Sequence, residues 1–187
     1  MLGQIVLLIA GTVFGFVTLA LLARFFMQWG RVSFRNPIGH FVIAVTDWAV
    51  MPARRVIPGL FGLDMASLLL AWATQLLYVL IEAGFGVSAD TPFAILLLSL
   101  IGLARMATYF VFGVVLVSAL LSWVGPRNPA AYVFDELSRP FLAPFRRLIR
   151  PLGGIDLSPL VLLLALQIVL LVIERLRVSL LTLPQGF

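Results

Sequence analysis

Four stretches of the chain are long, apolar and free of charged residues. They run over residues 5–23, 65–81, 106–124 and 157–173. A helix needs roughly 20 apolar residues, with a range of about 17 to 25, to cross a hydrocarbon core about 30 Å thick. The pattern therefore predicts four transmembrane helices.

A further apolar stretch, residues 93–104, comes directly before Arg105 and is too short to cross a membrane alone. It either extends the third transmembrane helix or lies along the membrane interface. In both arrangements we expect Arg105 to reach toward lipid headgroups, because long basic side chains extend to the interface.

The chain repeats itself at an offset of 92 residues, which predicts a tandem of one two-span unit. Trp29 and Trp123 pair at an offset of 94, so the two copies differ by two residues in the turn after the first helix of each. The residues matched at offset 92 are Arg35-Asn36-Pro37 with Arg127-Asn128-Pro129, Pro52-Ala53-Arg54-Arg55 with Pro144-Phe145-Arg146-Arg147, Asp64 with Asp156, Gln75 with Gln167, and Glu82 with Glu174.

We expect residues 1–82 to form the first two-span repeat, 83–92 an extracytoplasmic loop and 93–187 the second two-span repeat. Because each unit crosses the membrane twice, both copies enter from the same side and the repeats are parallel. The predicted fold is an all-α membrane protein whose four transmembrane helices come from two parallel tandem repeats.

Short interfacial helices are predicted in the two linkers inside the repeats. Each linker begins with Asn-Pro, and the residue before proline is disfavoured in the helical region. An apolar stretch follows, residues 41–50 in the first copy and 130–142 in the second. These stretches suit helices that lie in the interface or pack against the end of the bundle. Prolines on both sides of the Arg-Arg segment are expected to keep a long helix out of it.

Composition agrees with a membrane protein, since 62% of the chain is hydrophobic and 11% is charged. Soluble domains average about 45–50% apolar and about 25% charged residues. The chain contains no cysteine, which excludes disulfide bonds and thiol catalysis. It has one histidine, and all thirteen basic residues are arginine.

The distribution of arginine predicts the orientation in the membrane. The first linker holds four arginines and the second holds five, whereas the opposite side has only Arg105, Arg175 and Arg177. Loops rich in basic residues stay in the cytoplasm. Both linkers are therefore predicted to be cytoplasmic, and both termini to lie on the other side.

The repeated Arg-Arg segment is the first candidate site. Its charge alone serves membrane orientation, at about 1 kcal/mol per arginine near an anionic leaflet. A sharper hypothesis is a specific site for anionic phospholipid or an acidic partner segment, because guanidinium groups grip phosphate bidentately. The candidates for lipid or partner binding are Arg54, Arg55, Arg146, Arg147 and Arg150.

The polar residues in and beside the spans form a second set of candidates. Asp64 and Asp156 each precede an apolar run, where a helix N-cap belongs, and Ser158 follows the second. The alternative for these residues is an ion path at the cytoplasmic mouth. Gln75 and Gln167 lie about 16 Å further along each helix. They either form hydrogen bonds between helices or line a central path.

Motifs for enzymatic chemistry are absent from the sequence. It has no phosphate-binding loop, no His-Glu-x-x-His pair and no Ser-His-Asp set, so we expect no enzyme, no metal site and no cofactor. No nucleic-acid-binding module is indicated either.

The residues resemble the YggT family of integral membrane proteins, in the form with two repeats found in proteobacteria. The resemblance lies in Pro144-x-Arg146-Arg147 and Gly154-x-Asp156-x-Ser158-Pro159, and in Arg24 to Trp29, Pro52-x-Arg54-Arg55 and Asp64 to Ser67 of the first copy. Met65-Ala66-Ser67 stands where the second copy has Leu157-Ser158-Pro159, which is a departure between the copies.

This resemblance implies a bacterial inner-membrane protein without an assigned catalytic activity, so the termini that the arginine distribution places outside the cytoplasm are expected in the periplasm. It also implies a link to tolerance of osmotic and ionic stress and to neighbourhoods of cell-division genes. Plastid relatives are implicated in attaching haem to a cytochrome and in organising nucleoids at membranes.

Two hypotheses about function follow. The first is a non-enzymatic scaffold or biogenesis factor whose linkers contact anionic phospholipid and a membrane-protein partner or a second copy. The alternative is an oligomeric cation channel or transporter, with Asp64, Asp156, Gln75 and Gln167 lining its path.

Overall fold

The computed structural model describes residues 1–59, 62–86, 91–124, 129–148 and 156–182. The regular elements in these ranges are six helices. They are α1 Leu2–Trp29, α2 Pro37–Ala53, α3 Met65–Gly84, α4 Pro92–Val124, α5 Pro129–Leu148 and α6 Ser158–Thr182.

Four of these helices, α1, α3, α4 and α6, are long and apolar enough to cross a membrane. The chain is therefore a multi-pass membrane protein, as its apolar windows predict. Along the chain, α2 lies between α1 and α3, and α5 lies between α4 and α6. The end of the bundle that carries α2 and α5 is called the linker end below.

The third spanning helix is the longest, because α4 includes residues 93–104 without a break. This stretch therefore extends the helix and is not a separate interfacial segment. Arg105 does not simply reach out to headgroups: its Nη1 lies 3.8 Å from Oε2 of Glu174 on α6. A carboxylate on a neighbouring helix can neutralise this arginine inside the protein, which the sequence alone does not reveal.

Helix α4 lies at the centre of the bundle, in contact with α1, α3, α5 and α6. Aromatic rings fix its position at the linker end. The ring of Phe26 on α1 stacks on Phe110 of α4 with centroids 5.1 Å apart, and it also meets the edge of Phe141 on α5 at 5.7 Å. Stacked and edge-to-face pairs of this kind stabilise beyond the area that they bury.

The Asn-Pro turn starts α2 as a capped helix. Asn36 has an extended backbone, and its side chain accepts a hydrogen bond of 2.8 Å from the backbone N–H of Gly39. Pro37 follows in the first turn, where a missing N–H costs nothing. The buried residues Val42, Thr46 and Val50 recur every four positions, so one face of α2 packs on the bundle.

In the first copy α2 ends at Ala53, before Arg54, as predicted, but in the second copy the prolines do not keep α5 out of the basic segment, and the prediction is wrong there. The helix passes through Pro140 and Pro144 and holds Arg146 and Arg147 in its last turn. The two prolines are four residues apart, which puts both missing N–H groups on one side of the helix. Pro144 is exposed. Water can therefore reach the carbonyl groups that have lost their donors, and the cost of the interruption falls.

Replacing Gly39 with alanine should destabilise the fold by about 1–3 kcal/mol, the usual effect of overpacking. A Cβ at Gly39 would lie 2.5 Å from the carbonyl oxygen of Phe34 and 2.6 Å from its Cα, so backbone would have to move. Unfolding titrations with SDS in mixed micelles measure the effect. Gly113→Ala is the control, because nothing lies within 4 Å of a Cβ there. Equal stability of the two variants would contradict the prediction.

Candidate functional site

Arg54 and Asp64 form an ion pair at the linker end, called a clip below, in which the aspartate is buried and the arginine side chain is 40% exposed. Asp64 is 2% exposed and caps α3, accepting hydrogen bonds from the N–H of Ser67 at 3.3 Å and from its hydroxyl at 2.5 Å. Arg54 donates from Nη2 to Oδ2 at 2.6 Å and from Nε to Oδ1 at 3.3 Å. This two-pronged geometry is the strong form of an arginine–carboxylate pair.

A second arginine, Arg24, approaches the same carboxylate from α1. Its Nε lies 3.6 Å from Oδ2 of Asp64, and its Nη1 donates to Thr46 at 2.8 Å and to Asp47 at 2.6 Å. Arg24 is 5% exposed and links α1 with α2 and with the start of α3. Sequence reasoning missed it, although a lone arginine directly after an apolar window is a visible signal.

The pKa of the Asp64 carboxyl lies below its ordinary value of 3.8. Burial alone would raise the pKa. Hydrogen bonds from Arg54 and Ser67, together with the charge of Arg54, outweigh this effect. Asp64 is therefore held as a carboxylate, and its lone pairs are engaged by groups of the protein itself.

The second copy repeats the clip in a more open form. Arg146 donates from Nε to Oδ2 of Asp156 at 2.9 Å, and the N–H of Ser158 donates to Oδ1 at 2.9 Å. The Asp156 side chain is 41% exposed, whereas that of Asp64 is 2% exposed. Burial again raises the pKa of Asp156, but hydrogen bonds from Ser158 and Arg146 lower it below the ordinary value.

The two copies differ at the position of Arg24. The offset of 94 found for the tryptophans places Ser118 there, and the offset of 92 places Ser138 at the position of Thr46. The Ser138 hydroxyl donates to that of Ser118 at 3.1 Å. The second copy thus keeps a hydrogen bond between the same two positions but lacks the buried cation.

Two of the remaining candidate arginines face outward. Arg55 and Arg147 are exposed, and within the described residues neither forms an ion pair. Each is followed by an exposed apolar residue, Val56 or Leu148. Arg150 lies outside the described residues. In each Arg-Arg pair, the first arginine therefore binds an aspartate in a clip and the second lies on the surface.

The two glutamines have different surroundings. Gln75 is buried on α3 and donates to the hydroxyl of Thr18 on α1 at 2.9 Å, while its other side lies against Gly102 of α4. Gln167 is exposed on α6. The four residues that were expected to line an ion path, Asp64, Asp156, Gln75 and Gln167, therefore do not surround one interior space.

A second ionic cluster lies toward the other end of the bundle. Arg177 on α6 donates to Glu82 of α3 at 3.1 Å, and Arg105 of α4 approaches Glu174 of α6. These pairs tie α6 to its neighbours. The sequence shows that all four residues are charged, but it does not show which of them pair.

An open groove lies between the end of α1 and α5, with a volume of about 340 Å³. It combines an indole ring, two guanidinium groups and one carboxylate, and its lining consists of Trp29, Gly30, Arg31, Glu136, Arg139, Pro140 and Ala143. Within the described ranges, no group of three or more histidine, aspartate or glutamate residues could hold a metal ion.

Comparisons with known proteins give a consistent result. A family model described as CCB3/YggT matches residues 3–84 and again residues 97–177. The chain is 39% identical over 159 residues to "Uncharacterized protein YggT" of Escherichia coli K12, covering 84% of this chain and 83% of the relative. It is 37% identical over 161 residues to "Uncharacterized protein in proC 3'region" of Vibrio alginolyticus, covering 83% and 86%. No solved structure matches the chain.

Asp64→Asn should destabilise the protein far more than Asp156→Asn, and the chain thus supplies its own matched control. Removing one partner of a buried ion pair costs about 3–5 kcal/mol, because the other charge stays buried. An exposed pair contributes only about 0–1 kcal/mol. SDS titrations at neutral pH measure both variants. Similar losses of stability in the two variants would contradict the prediction, because the buried Arg24 would then not make Asp64 more important than Asp156.

The difference between the wild type and Asp64→Asn should depend on pH. The pKa of Asp64 is lower in the folded than in the unfolded state, so its contribution is complete above the unfolded value near 3.8. The contribution is lost as the pH falls through the still lower folded value. Thermal unfolding between pH 7 and pH 2 should show the two proteins converging only at the acid end. Convergence near neutral pH would contradict this.

Proposed function

This chain belongs to the CCB3/YggT family, and we propose that it is a non-enzymatic scaffold or biogenesis factor of the bacterial inner membrane. In this proposal the linkers face the cytoplasm and contact anionic phospholipid and a partner protein, and the termini face the periplasm. The protein thereby contributes to tolerance of osmotic or ionic stress, as the family resemblance implies.

The tandem architecture is part of the proposal. The family model matches two segments of similar length, and equivalent arginine–aspartate clips occur in both. Two parallel repeats, residues 1–82 and 93–187, explain both facts. Nine of the thirteen arginines lie in the two linkers, which supports a cytoplasmic linker end.

The observation that carries the proposal is the division of each Arg-Arg pair. Arg54 and Arg146 are engaged by aspartates of the protein, and these contacts account for them structurally. Arg55 and Arg147 are exposed beside exposed apolar residues and make no such contact among the residues described. An arginine next to an apolar side chain at a membrane surface suits a phosphate headgroup above an acyl chain.

The outer face of α2 also supports contact with lipid. Phe41, Trp48 and Met51 are exposed and share this face, which leads to Arg55. The ring of Phe41 meets that of Phe16 on α1, at a centroid distance of 6.4 Å. The apolar outer surface of a spanning helix thus continues onto the linker helix, as expected for a helix at the interface.

The outer face of α5 has different chemistry and suits a protein partner. It carries Tyr132, Asp135 and Arg139 among its exposed side chains, and the Tyr132 hydroxyl donates to Glu136 at 2.6 Å. A mixed-charge surface of this kind favours specific pairing over general attraction to lipid. The groove beside Arg31 and Arg139 adjoins this surface.

A cation channel or transporter draws less support from the same residues. Asp64 is engaged by two arginines, and Gln75 is hydrogen-bonded between helices. Neither presents an open ligand to a passing ion. Cation flux in proteoliposomes under an imposed gradient, at rates above those of empty vesicles, would favour this alternative.

Replacing Arg55 and Arg147 together by glutamine should reduce the anionic phospholipid that stays bound during purification. The reduction should be about fivefold per arginine, because each such residue near a charged surface contributes about 1 kcal/mol. Native mass spectrometry measures the bound lipid. Arg175→Gln is the control, since Arg175 is exposed on α6 toward the other end. Unchanged lipid in the double variant would contradict the role of these residues.

The lysine variant Arg55→Lys/Arg147→Lys separates charge from recognition. If the lysine variant retains the lipid, charge alone suffices, and if it loses the lipid, the arginines bind phosphate bidentately.

Crosslinking in native membranes tests the proposed protein partner. A neighbour captured reproducibly by the wild type but lost with Arg139→Glu on the outer face of α5 supports the scaffold role, and capture of no protein counts against it.

A further inference from the structure

The helix α6 is the spanning helix with the least cover from the rest of the chain. Only Ser158 and Leu162 are buried among its residues. Its contacts to α4 and α5 and the ion pair of Arg177 with Glu82 use one side of the helix, while Glu174, which approaches Arg105, keeps 51% of its side chain exposed. The other side is exposed along the whole span.

The exposed side contains a regular seam of residues. They recur at alternating intervals of four and three positions, which is the heptad spacing of helices that pack side by side. All six are exposed, and they are Leu160, Leu164, Gln167, Leu171, Glu174 and Val178. We call this set the α6 seam.

Gln167 is the feature of the α6 seam that lipid does not explain. It lies about 16 Å along the helix from Asp156, near the middle of the span. A primary amide has two donors and an acceptor that acyl chains cannot satisfy. Its repeat counterpart Gln75 is buried and bonded to Thr18 of α1. Gln167 is exposed, and among the described residues it forms no such hydrogen bond, so a partner from outside the chain fits there.

We propose that the α6 seam is a dimer interface and that its partner is α6 of a second copy. Copies inserted with the same topology can pair about a twofold axis along the membrane normal, which makes the two helices parallel. Each seam residue then meets its own counterpart at the same depth. Gln167 meets Gln167, and the amide is complementary to itself because it both donates and accepts.

The charges of the seam are compatible with this arrangement. Glu174 would meet its counterpart near the outer end, and its carboxylate lies 3.8 Å from Arg105 of its own chain. Each acid therefore brings a nearby cation to the interface. A partner of another kind would need a polar residue at the same depth, whereas a second copy supplies one by symmetry. The proposal does not depend on the scaffold role.

Cysteine crosslinking tests the geometry directly, because the chain has no cysteine of its own. Leu171→Cys and Val172→Cys form a matched pair. They lie at the same depth, and their side chains are 67% and 54% exposed, but only Leu171 belongs to the α6 seam. Oxidation in native membranes should give a disulfide-linked dimer with Leu171→Cys and with Leu164→Cys, and little with Val172→Cys. Equal yields at residues 171 and 172 would reveal random collision and overturn the proposal.

The contribution of the amide is measured separately in lipid bilayers. Gln167→Leu should weaken dimerisation by about 3- to 20-fold, the range expected for one hydrogen bond between helices in a membrane. Gln167→Asn should retain most of the affinity. Energy transfer between labelled copies at increasing dilution in lipid gives the dissociation constants. Unchanged affinity of Gln167→Leu, or crosslinks only to a protein of another mass, would also overturn the proposal.

Discussion

The ionised carboxylate of Asp64 is the constraint around which the linker end is arranged. A charge removed from water costs several kcal/mol unless it is paired and hydrogen-bonded. Here Arg24 comes from α1, Arg54 from the end of α2, and Ser67 from the first turn of α3. Because all three must reach one carboxylate, the relative positions of these helices are defined at that point. The long apolar surfaces of the same helices have no comparable directional requirement.

The two segments that the family model matches each contain such a carboxylate, and the surroundings of the two differ. Asp156 keeps its arginine but not the second, buried cation, and it remains substantially exposed. The linker helices differ in the same sense, since α2 presents aromatic residues outward and α5 presents charges. One linker helix therefore presents an apolar surface, while the other presents a charged one.

Much of the fold could be predicted from the sequence, because spans depend on hydrophobicity over a known length. The turn at Asn36 could be anticipated too, since it depends only on neighbouring residues. What escaped prediction depends on distant residues. In the sequence Arg24 is only the residue that ends an apolar stretch, and the fold brings Asp47 and Asp64 close to it. Pro144 looked like a helix end because its exposure to water was unknown. The equivalence of Gln75 and Gln167 in sequence did not reveal that one is buried and the other exposed.

The unequal lengths of α3 and α4 determine how the protein responds to the bilayer. α4 has 33 residues and α3 has 20, or about 50 Å and 30 Å as helices. The shorter helix matches an average hydrocarbon core, and the longer one exceeds it. A thicker membrane would create hydrophobic mismatch at α3 before it does so at α4. The resulting force would act along the axis of α3 and thus on the carboxylate that caps it, which couples membrane thickness to the linker end.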